Sequence, residues 1–424
     1  MRKLRLSAAA IALSAAIWFL TPLRAGRNDS DPIGLQAADA APARIERVAP
    51  GSVGFDPVRL GRVDEAVGRA IDDGQAPGAV VCVVRHGRVA LLRAYGNRRT
   101  VPDTVAMSED TIFDLASLTK VAATTVAVMQ LVEQGRLRLG DRVDRYINGF
   151  EGWRNPDNVR DTTHVRIVDL LTHTSGLPAY VAPAKLAAQY PDRSLPDAAV
   201  AEDYAAHCPR LAEPGTEYRY SCLNFIVLQH VVERMTGVGL DIYARDNIFR
   251  PLGMSDTGFL PDGRLARRCA PTTVSGGGEL CGRVHDPLAR EVCGGVSGNA
   301  GLFSTAEDLA VFAAMLLSGG EWGGARVLSP LAVEAMSHAP RGYEQFGRTP
   351  GWDTWRGYTG TSGDLLSESC YYHTGATGTS IVIDPELDLA VIILTNRVHP
   401  SDGGSVARLR SEVANAVAGA LVES

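Results

Sequence analysis

Two β-hairpin patterns at opposite ends of the chain constrain its fold more than any other feature of the sequence. Each consists of two β-rich runs joined by a short turn, and the runs cover residues 79–85 and 88–95 near the start and 380–384 and 389–395 near the end. A helical pattern lies outside each hairpin: Asp56 and Pro57 begin the first helix, and residues 406–421 form the last. Elements from both ends therefore meet in one antiparallel sheet with helices against it, which predicts the α+β class.

Between the hairpins the sequence is mostly helical, which predicts a second, helical subdomain. Its central helix runs from about Ser117 to Gln134 and ends at Gly135. This segment is apolar on most sides, as expected of a helix that is buried all round. The chain has 424 residues, enough for this helical part and the sheet to share one large domain, here assigned to residues 51–424.

The first residues of the chain predict export. Three cations within the first five residues precede an apolar run from Leu6 to Leu20, as in a secretory signal. Residues 1–25 are therefore interpreted as a signal peptide or, if uncleaved, as an N-terminal membrane anchor. Residues 26–50 are rich in Ala, Pro, Asp and Arg without periodicity, which is typical of a linker. We expect a periplasmic or secreted protein whose contact with a membrane, if any, is through this N-terminal segment.

The charge of the chain argues against nucleic acid as a partner. It carries 42 Lys and Arg against 48 Asp and Glu, and its mature part has no basic cluster to follow a phosphate backbone. Seven cysteines in an exported chain permit up to three disulfides, whose pairing the sequence leaves open. Cys269, Cys281 and Cys293 lie near His285 in the sequence, but they lack the short C-x-x-C spacing of structural zinc sites. No metal and no cofactor is therefore expected.

The strongest candidate for chemistry is the sequence from Ser117 to Lys120. At the start of a helix, residues i and i+3 share a face, so the lysine amine can reach the serine hydroxyl. Alternatively, Ser117 is a helix N-cap and Lys120 a solvated side chain. The chain contains only three lysines, Lys3, Lys120 and Lys185, while nearly every other cation is arginine. Because arginine does not release its proton at usable pH whereas a partly buried lysine can, a lysine at this place favours a role as a base.

The phrases around this pair resemble the class C β-lactamase, penicillin-binding protein and DD-peptidase family. They cover the chain in the family's order from about Phe55 to the C-terminus, and they are Asp114–Lys120, Leu170–Leu177, Pro214–Thr216, Tyr220-Ser221, Gly294–Ser304 and His373–Gly375. The resemblance implies a β-lactamase/transpeptidase-like fold with the active site between the sheet and the helical subdomain. Gly294–Ser304 and Thr395–Pro400 look most like the periplasmic carboxypeptidase or esterase branch of the family.

The resemblance also implies the roles of individual residues. Ser117 would form an acyl-enzyme, Lys120 would assist proton removal, and Tyr220 would be the second general acid or base, since a neighbouring positive charge favours a phenolate. The oxyanion hole would consist of the backbone N–H groups of Ser117 and Ala376. Thr374 and Gly375, which precede Ala376, would line the substrate site.

Two departures from the family's motifs bear on the substrate. The family's Tyr-x-Asn becomes Tyr220-Ser221-Cys222, which replaces an amide-holding carboxamide by a thiol that hydrogen-bonds weakly. Asn224 lies two residues further on as an alternative. The family's Lys-Thr-Gly becomes His373-Thr374-Gly375, whose imidazole changes charge near pH 6.5 and holds a carboxylate less firmly at neutral pH. Both changes favour esters over amides.

These observations predict a serine acyl hydrolase that acts on D-Ala-D-Ala-type peptides or on small esters, with β-lactams as inhibitors or poor substrates. Its partner would be a small-molecule or peptidoglycan-peptide substrate. The alternative is a catalytically weak penicillin-binding or scaffold protein of the same fold, which Cys222 favours. The sequence contains no G-x-S-x-G elbow, H-E-x-x-H motif, Walker loop or G-x-G-x-x-G fingerprint, so it matches no other hydrolase or nucleotide-binding plan considered.

Overall fold

The two predicted hairpins lie side by side in the main sheet of the computed structural model, which describes residues 44–275, 278–354 and 360–422. The predicted signal segment 1–25 and most of the predicted linker lie outside the described residues. The strands of the described chain are β1 Glu46–Arg47, β2 Gly78–Arg85, β3 Arg88–Arg99, β4 Val105–Ala106, β5 Phe113–Asp114, β6 Trp153–Asn155, β7 Asn158–Thr163, β8 Gly258–Phe259, β9 Val274–Ser275, β10 Gly278–Glu279, β11 Leu302–Ser304, β12 Glu321–Trp322, β13 Ala325–Arg326, β14 Tyr371–Thr374, β15 Ser380–Asp384 and β16 Leu389–Thr395.

Helices form the terminal layers and most of the middle of the described chain. They are α1 Pro57–Leu60, α2 Arg62–Asp72, α3 Val126–Glu133, α4 Ile167–Leu171, α5 Pro183–Gln189, α6 Ala198–His207, α7 Cys222–Thr236, α8 Leu240–Ala244, α9 Arg250–Leu252, α10 Gly263–Ala266, α11 Ala306–Leu317, α12 Pro330–Ser337 and α13 Ala407–Ala418. Short 3-10 turns cover Pro50–Val53, Ala116–Leu118, Val143–Arg145 and Glu344–Phe346, and π turns cover Lys120–Thr125, Arg245–Phe249 and Leu288–Val292. In the described residues, no helix combines the length and the apolar character needed to cross a bilayer.

The main sheet joins the two ends of the chain at its centre. Its strands run in the order β1-β3-β2-β16-β15-β14, with β4 paired to β3. The central pair β2 and β16 is antiparallel, with Cys82 opposite Ile392. This arrangement confirms the α+β class and the sheet with terminal helices that the hairpin patterns predict.

Strand β2 explains why the sheet has helices on both faces. All eight of its residues are buried, so both sides of the strand need an apolar cover. Because side chains alternate between the faces of a strand, Val81 and Val83 pack on one side with the helices α2 and α13. Cys82 and Val84 pack on the other side against α11. The sheet is therefore the middle layer between terminal and internal helices.

The helical subdomain has its own core. Apolar side chains of α4, α6 and α7 pack together, with Leu171, Ala205 and Ile226 all fully buried. Leu131 of α3 belongs to this cluster, whereas Val126 of the same helix packs with the sheet and α11. The segment that follows Ser117 thus passes between the two cores, as the sequence predicts for a buried central helix.

Two boundaries differ from the sequence-based expectation. The main sheet includes β1, whose Glu46 lies opposite Arg88, so the chain joins the fold inside the predicted linker 26–50. A two-residue strand among polar side chains has no periodicity that the sequence could reveal. The helix predicted from Ser117 to Gln134 begins as a 3-10 turn and a π turn before α3. There the Thr125 hydroxyl donates to the Lys120 carbonyl, at 2.8 Å.

Candidate active site

Ser117 lies on a tight turn directly after strand β5. The preceding Ala116 has a φ of 47°, in the left-handed region that residues with a Cβ rarely occupy. The Asp114 carboxylate holds this conformation, because it accepts the Ala116 N–H at 2.8 Å and the His285 N–H at 2.6 Å. The N-cap positions of the 3-10 turn and of the π turn that follows it are Leu115 and Thr119, which is against the N-cap interpretation of Ser117. The turn leaves Ser117 half-buried and facing a cleft.

Lys120 reaches Ser117 as the i, i+3 spacing predicts. Its Nζ lies 3.0 Å from the Ser117 Oγ and 2.9 Å from the main-chain oxygen of Asn299. It also lies 3.9 Å from the Cys222 Sγ and over the Tyr220 ring, 5.0 Å from the ring centroid. The Lys120 side chain is fully buried, so it is not the solvated first-turn lysine of the alternative interpretation.

The charge of Lys120 differs from the sequence-based expectation. Burial by itself lowers the pKa of a lysine, but Cys222, Tyr220 and Asp286 raise the pKa of Lys120 above its ordinary value of 10.5. The resting amine is therefore an ammonium that donates to Ser117 and to Asn299. The raised pKa is against a neutral Lys120 in the resting site, where neighbours that the sequence does not reveal oppose the effect of burial. The role of Lys120 as a base in the reaction stays a prediction.

Tyr220 packs on a buried histidine beside the lysine. The rings of His173 and Tyr220 are 4.3 Å apart and tilted by 33°. The Nδ1 of His173 accepts the Ser221 N–H at 3.1 Å, so the proton of the neutral ring lies on Nε2. Burial, together with the positive charges of Arg348 and Lys120, lowers the pKa of His173 well below its ordinary value of 6.5. A neutral His173 thus fixes the backbone next to Tyr220.

The turn after strand β14 is attached to the turn that carries Ser117. The Thr377 hydroxyl donates to the Asp114 carbonyl at 2.7 Å, and the Thr379 hydroxyl donates to the Leu115 carbonyl at 2.9 Å. Gly375 has no room for a Cβ, which would lie 2.5 Å from the Leu115 oxygen and 2.1 Å from the Thr379 hydroxyl. This close approach requires glycine, and it places Ala376 beside Ser117.

The backbone N–H groups of Ser117 and Ala376 are available to a ligand. Within the described chain, neither group donates to another backbone carbonyl. Both residues line one open cleft of about 420 Å³. Tyr220, Thr374, Arg397 and Arg410 line the same cleft. The sequence-based site residues Ser117, Tyr220, Thr374, Gly375 and Ala376 therefore meet around one space, with Lys120 behind Ser117.

Cys222 occupies the inner side of this site as the first residue of α7. It carries a free thiol near the Lys120 amine, and it contacts the Asn299 side chain. Asn224 does not replace the missing carboxamide. Its Oδ1 accepts the Ser175 hydroxyl at 2.5 Å and its Nδ2 contacts the His173 Nδ1 at 3.1 Å, so the fully buried side chain is engaged beneath the site.

His373 differs from its predicted behaviour. Its side chain is only 4% exposed, and its Nδ1 donates to the Thr374 carbonyl at 2.9 Å. Burial, with the positive charges of Arg348 and Lys120, lowers its pKa well below 6.5. The lowered pKa favours a neutral imidazole, against the expected change of its charge near pH 6.5, and the part of His373 in substrate binding stays a prediction. The sequence does not show that β14 buries this ring.

The other cysteines take part in packing and not in a cluster of ligands. Free thiols are present at Cys82, Cys208, Cys269, Cys281 and Cys293 as well as at Cys222. Among the described residues, no three His, Cys, Asp or Glu side chains lie close enough together to hold a metal ion. The sulfur of Cys281 instead contacts the Cys269 carbonyl at 3.4 Å.

The sequence does not signal the roles of three further residues of the site. Asn299 holds Lys120 through its carbonyl, a role that no side-chain type can signal. Asp114 stands in one of the family's phrases, but its position there does not reveal that its carboxylate supports Ala116. Arg410 resembles an ordinary polar residue of an amphipathic helix, and only the packing of α13 brings it to the cleft. Its position could not be read from local pattern.

Comparisons with known proteins bear on the family and the fold of the chain. Residues 63–415 match the family model described as Beta-lactamase. A protein of Escherichia coli O157:H7 with the name "Putative D-alanyl-D-alanine carboxypeptidase" is 32% identical over 381 residues, which cover 83% of this chain and 85% of that protein. The solved structure "EstCE1, a hydrolase with promiscuous acyltransferase activity" is 26% identical with a TM-score of 0.67, covering 85% of this chain and 99% of that one. A penicillin-binding protein homologue from Pyrococcus abyssi, at 22% identity and a TM-score of 0.65, covers 84% of this chain and 76% of its own and supports the fold.

Proposed function

We propose that this chain, which belongs to the β-lactamase family of serine hydrolases, is an exported acyl hydrolase that forms an acyl-enzyme on Ser117. The observation that carries the proposal is the 3.0 Å contact between the Lys120 Nζ and the Ser117 Oγ at the floor of an open cleft. A structural lysine would not need a hydroxyl partner on a strained turn facing solvent. A nucleophile needs a polar neighbour and access to substrate.

The reaction proceeds in two steps. The Ser117 Oγ bonds to the carbonyl carbon of the acyl donor, its proton passes by way of Tyr220 to the leaving group, and the bond to the amine or alcohol breaks. Water then attacks the carbonyl carbon of the Ser117 ester, its proton passes by way of Tyr220 to the Ser117 Oγ as that ester bond breaks, and the carboxylic acid leaves. Because Lys120 is an ammonium, it stabilises the negative charge that develops on the serine and tyrosine oxygens during proton transfer.

The oxyanion of each tetrahedral intermediate accepts hydrogen bonds from the N–H groups of Ser117 and Ala376. Two such donors, fixed before the substrate arrives, lower the barrier by several kcal/mol in enzymes of this kind (each donor about 3 kcal/mol). The threonine contacts from Thr377 and Thr379 to the β5 segment support this role, because they keep the two N–H groups at a fixed separation.

The substrate class is a D-Ala-D-Ala-type peptide or a small ester, with β-lactams as inhibitors or poor substrates. The carboxypeptidase name of the Escherichia coli relative supports the peptide, and the promiscuous acyltransferase activity of EstCE1 supports an acyl donor of wider type. Cys222 offers a thiol where a carboxamide would bind a substrate amide, which favours esters. Export rests on residues 1–25 and is tested by cell fractionation and by the mass of the mature N-terminus.

The decisive experiment measures covalent labelling and turnover together. The full chain is incubated with a fluorescent penicillin, p-nitrophenyl acetate, nitrocefin and a D-Ala-D-Ala peptide, and intact mass is recorded. We expect an acyl adduct and turnover in the wild type and in Ser255→Ala, a control at an exposed serine outside the cleft lining, but neither in Ser117→Ala. An adduct that persists in Ser117→Ala contradicts the nucleophile. Labelling of the wild type without turnover of any substrate supports the penicillin-binding or scaffold alternative.

A further inference from the structure

Arg410 reaches the catalytic cleft from the terminal helix. It lies in the first turn of α13, and its Nη2 donates to the Gly375 carbonyl at 3.1 Å and to the Thr379 carbonyl at 2.9 Å. The neighbouring Leu409 and Val413 are buried against the sheet, so the helix fixes the base of the side chain. A residue far from Ser117 in sequence thus holds the turn that follows β14.

The carbonyl that Arg410 contacts belongs to the same peptide group as the Ala376 N–H. In a planar trans peptide the C=O and the N–H point in opposite directions. The Gly375 oxygen also accepts the Gly378 N–H at 3.0 Å, which directs it into the turn. The Ala376 N–H therefore points out of the turn, on the side that lines the cleft with Ser117.

Arg410 remains a cation in this place. Burial and the positive charge of Arg397 lower its pKa to about 10, still well above neutral pH. Its Nε is buried and has no hydrogen-bond partner in the described part of the chain, so the guanidinium donates to the two carbonyls through Nη2. A hydrogen bond from a cation is about twice as strong as one between neutral groups, and it polarises the amide that accepts it.

We infer that Arg410 is a positioning residue of the oxyanion hole: its guanidinium holds the Gly375 carbonyl so that the Ala376 N–H keeps its direction and becomes a stronger donor. The inference rests on the proposed function, since it needs an acyl-enzyme whose carbonyl oxygen binds at Ala376. Arg410 would affect the reaction through the peptide group between Gly375 and Ala376, without touching the substrate carbonyl.

The test compares Arg410→Met and Arg410→Lys with a matched control on the same helix. Arg408→Met is the control, because Arg408 is 80% exposed and pairs with Glu412 on the surface. For each variant, kcat and KM are measured with p-nitrophenyl acetate, and the infrared band of the acyl carbonyl is recorded on the acyl-enzyme. We expect kcat/KM of Arg410→Met to fall about 10- to 100-fold, mainly in kcat, because one donor is loosened and not removed.

The carbonyl band distinguishes positioning from a general loss of structure. It should move to higher frequency in Arg410→Met, because a weaker hydrogen bond leaves more double-bond character in the ester. The band frequency and kcat/KM of Arg410→Lys should lie between those of Arg410→Met and the wild type, because one ammonium can reach one of the two carbonyls. Arg408→Met should match the wild type in both measurements. If Arg410→Met is too unstable to purify, the lysine variant alone is compared.

An unchanged band with kcat/KM within about threefold of the wild type, in whichever Arg410 variant is measured, overturns the inference. A loss confined to KM overturns it as well, because it places Arg410 in substrate binding. Failure of the proposed function is separate and visible: a wild type that gives no acyl adduct, or an adduct that survives in Ser117→Ala, removes the acyl-enzyme itself. The Arg410 comparison is interpreted only after that check on the wild type.

Discussion

The Asp114 carboxylate offers the sharpest test of how this site is held. It is fully buried, and burial raises its pKa from the ordinary 3.8 to about 6, although the Ala116 and His285 N–H groups partly oppose the rise. At neutral pH the folded protein therefore carries a buried negative charge under the strained Ala116. The difference between this pKa and the ordinary value corresponds to about 3 kcal/mol of unfolding free energy.

The sign follows from the raised pKa. The folded state binds the Asp114 proton more tightly than the unfolded state does, so this contribution is complete below pH 3.8 and is lost as the pH rises through about 6. Asp114→Asn resembles the protonated carboxyl and does not ionise. Relative to the wild type, we expect the unfolding free energy of Asp114→Asn to rise by about 3 kcal/mol between pH 4 and pH 7.

Activity should change in the opposite direction. The asparagine can accept one of the two N–H groups but presents its own NH2 to the other, so either Ala116 or His285 loses its anchor. We expect kcat for p-nitrophenyl acetate to fall at least about tenfold at pH 7, which corresponds to about 1.4 kcal/mol in the barrier. The variant would then gain stability relative to the wild type as the pH rises, and it would be less active.

Urea unfolding from pH 4 to pH 8 measures the stability of the two proteins. Asp72→Asn, at an exposed position on α2, is the control for the loss of a carboxylate, and its difference from the wild type should stay small. Parallel curves of unfolding free energy against pH for the wild type and Asp114→Asn would refute the reasoning, because they would mean that the buried carboxylate does not titrate in this range. Unchanged kcat would refute the anchoring role.

Substitutions at three further residues test the rest of the site. Lys120→Met should lower kcat by about 10³-fold. Lys120→Arg should recover part of this loss, because it restores the positive charge. Equal losses of kcat in the two variants would show that the positive charge of Lys120 does not support the reaction. Cys222→Asn should raise kcat/KM for a D-Ala-D-Ala peptide relative to p-nitrophenyl acetate, and an unchanged ratio would mean that the side chain does not meet the substrate amide. Because burial lowers the pKa of His373 well below 6.5, KM for a carboxylate-bearing substrate should be flat from pH 6 to pH 8, and a rise that disappears in His373→Gln would contradict this direction.

The fold was largely accessible from the sequence because its strongest signals are local. The hairpin around His86-Gly87 depends on two β-rich runs and the turn between them, and Asp56 caps the first helix through the Val58 N–H at 2.8 Å, as its position predicts. The contact between Ser117 and Lys120 follows from helical spacing alone. Such features need only a few consecutive residues.

The electrostatics of the site were not accessible in this way. The charge of Lys120 depends on Cys222 and Tyr220, which lie about 100 residues further along the chain, and on the Asn299 carbonyl. The lowered pKa of His373 depends on burial and on the positive charge of Arg348. Motif resemblance brings the correct residues together but does not give their protonation states. The roles of the site residues stay predictions until the variants are measured.

The central strand pair has a consequence for how the polypeptide assembles. Both edges of strand β2 are paired only after β16 has joined the sheet. Ala79 of β2 and Thr395 of β16 lie opposite each other, and about 300 residues of chain separate them. Pairing over so long a loop is slow, and until it forms β2 presents an apolar, unpaired edge on which copies of the chain can aggregate. We therefore expect the newly made polypeptide to depend on a holding chaperone until its last strand is available, and a version that ends before residue 389 to precipitate.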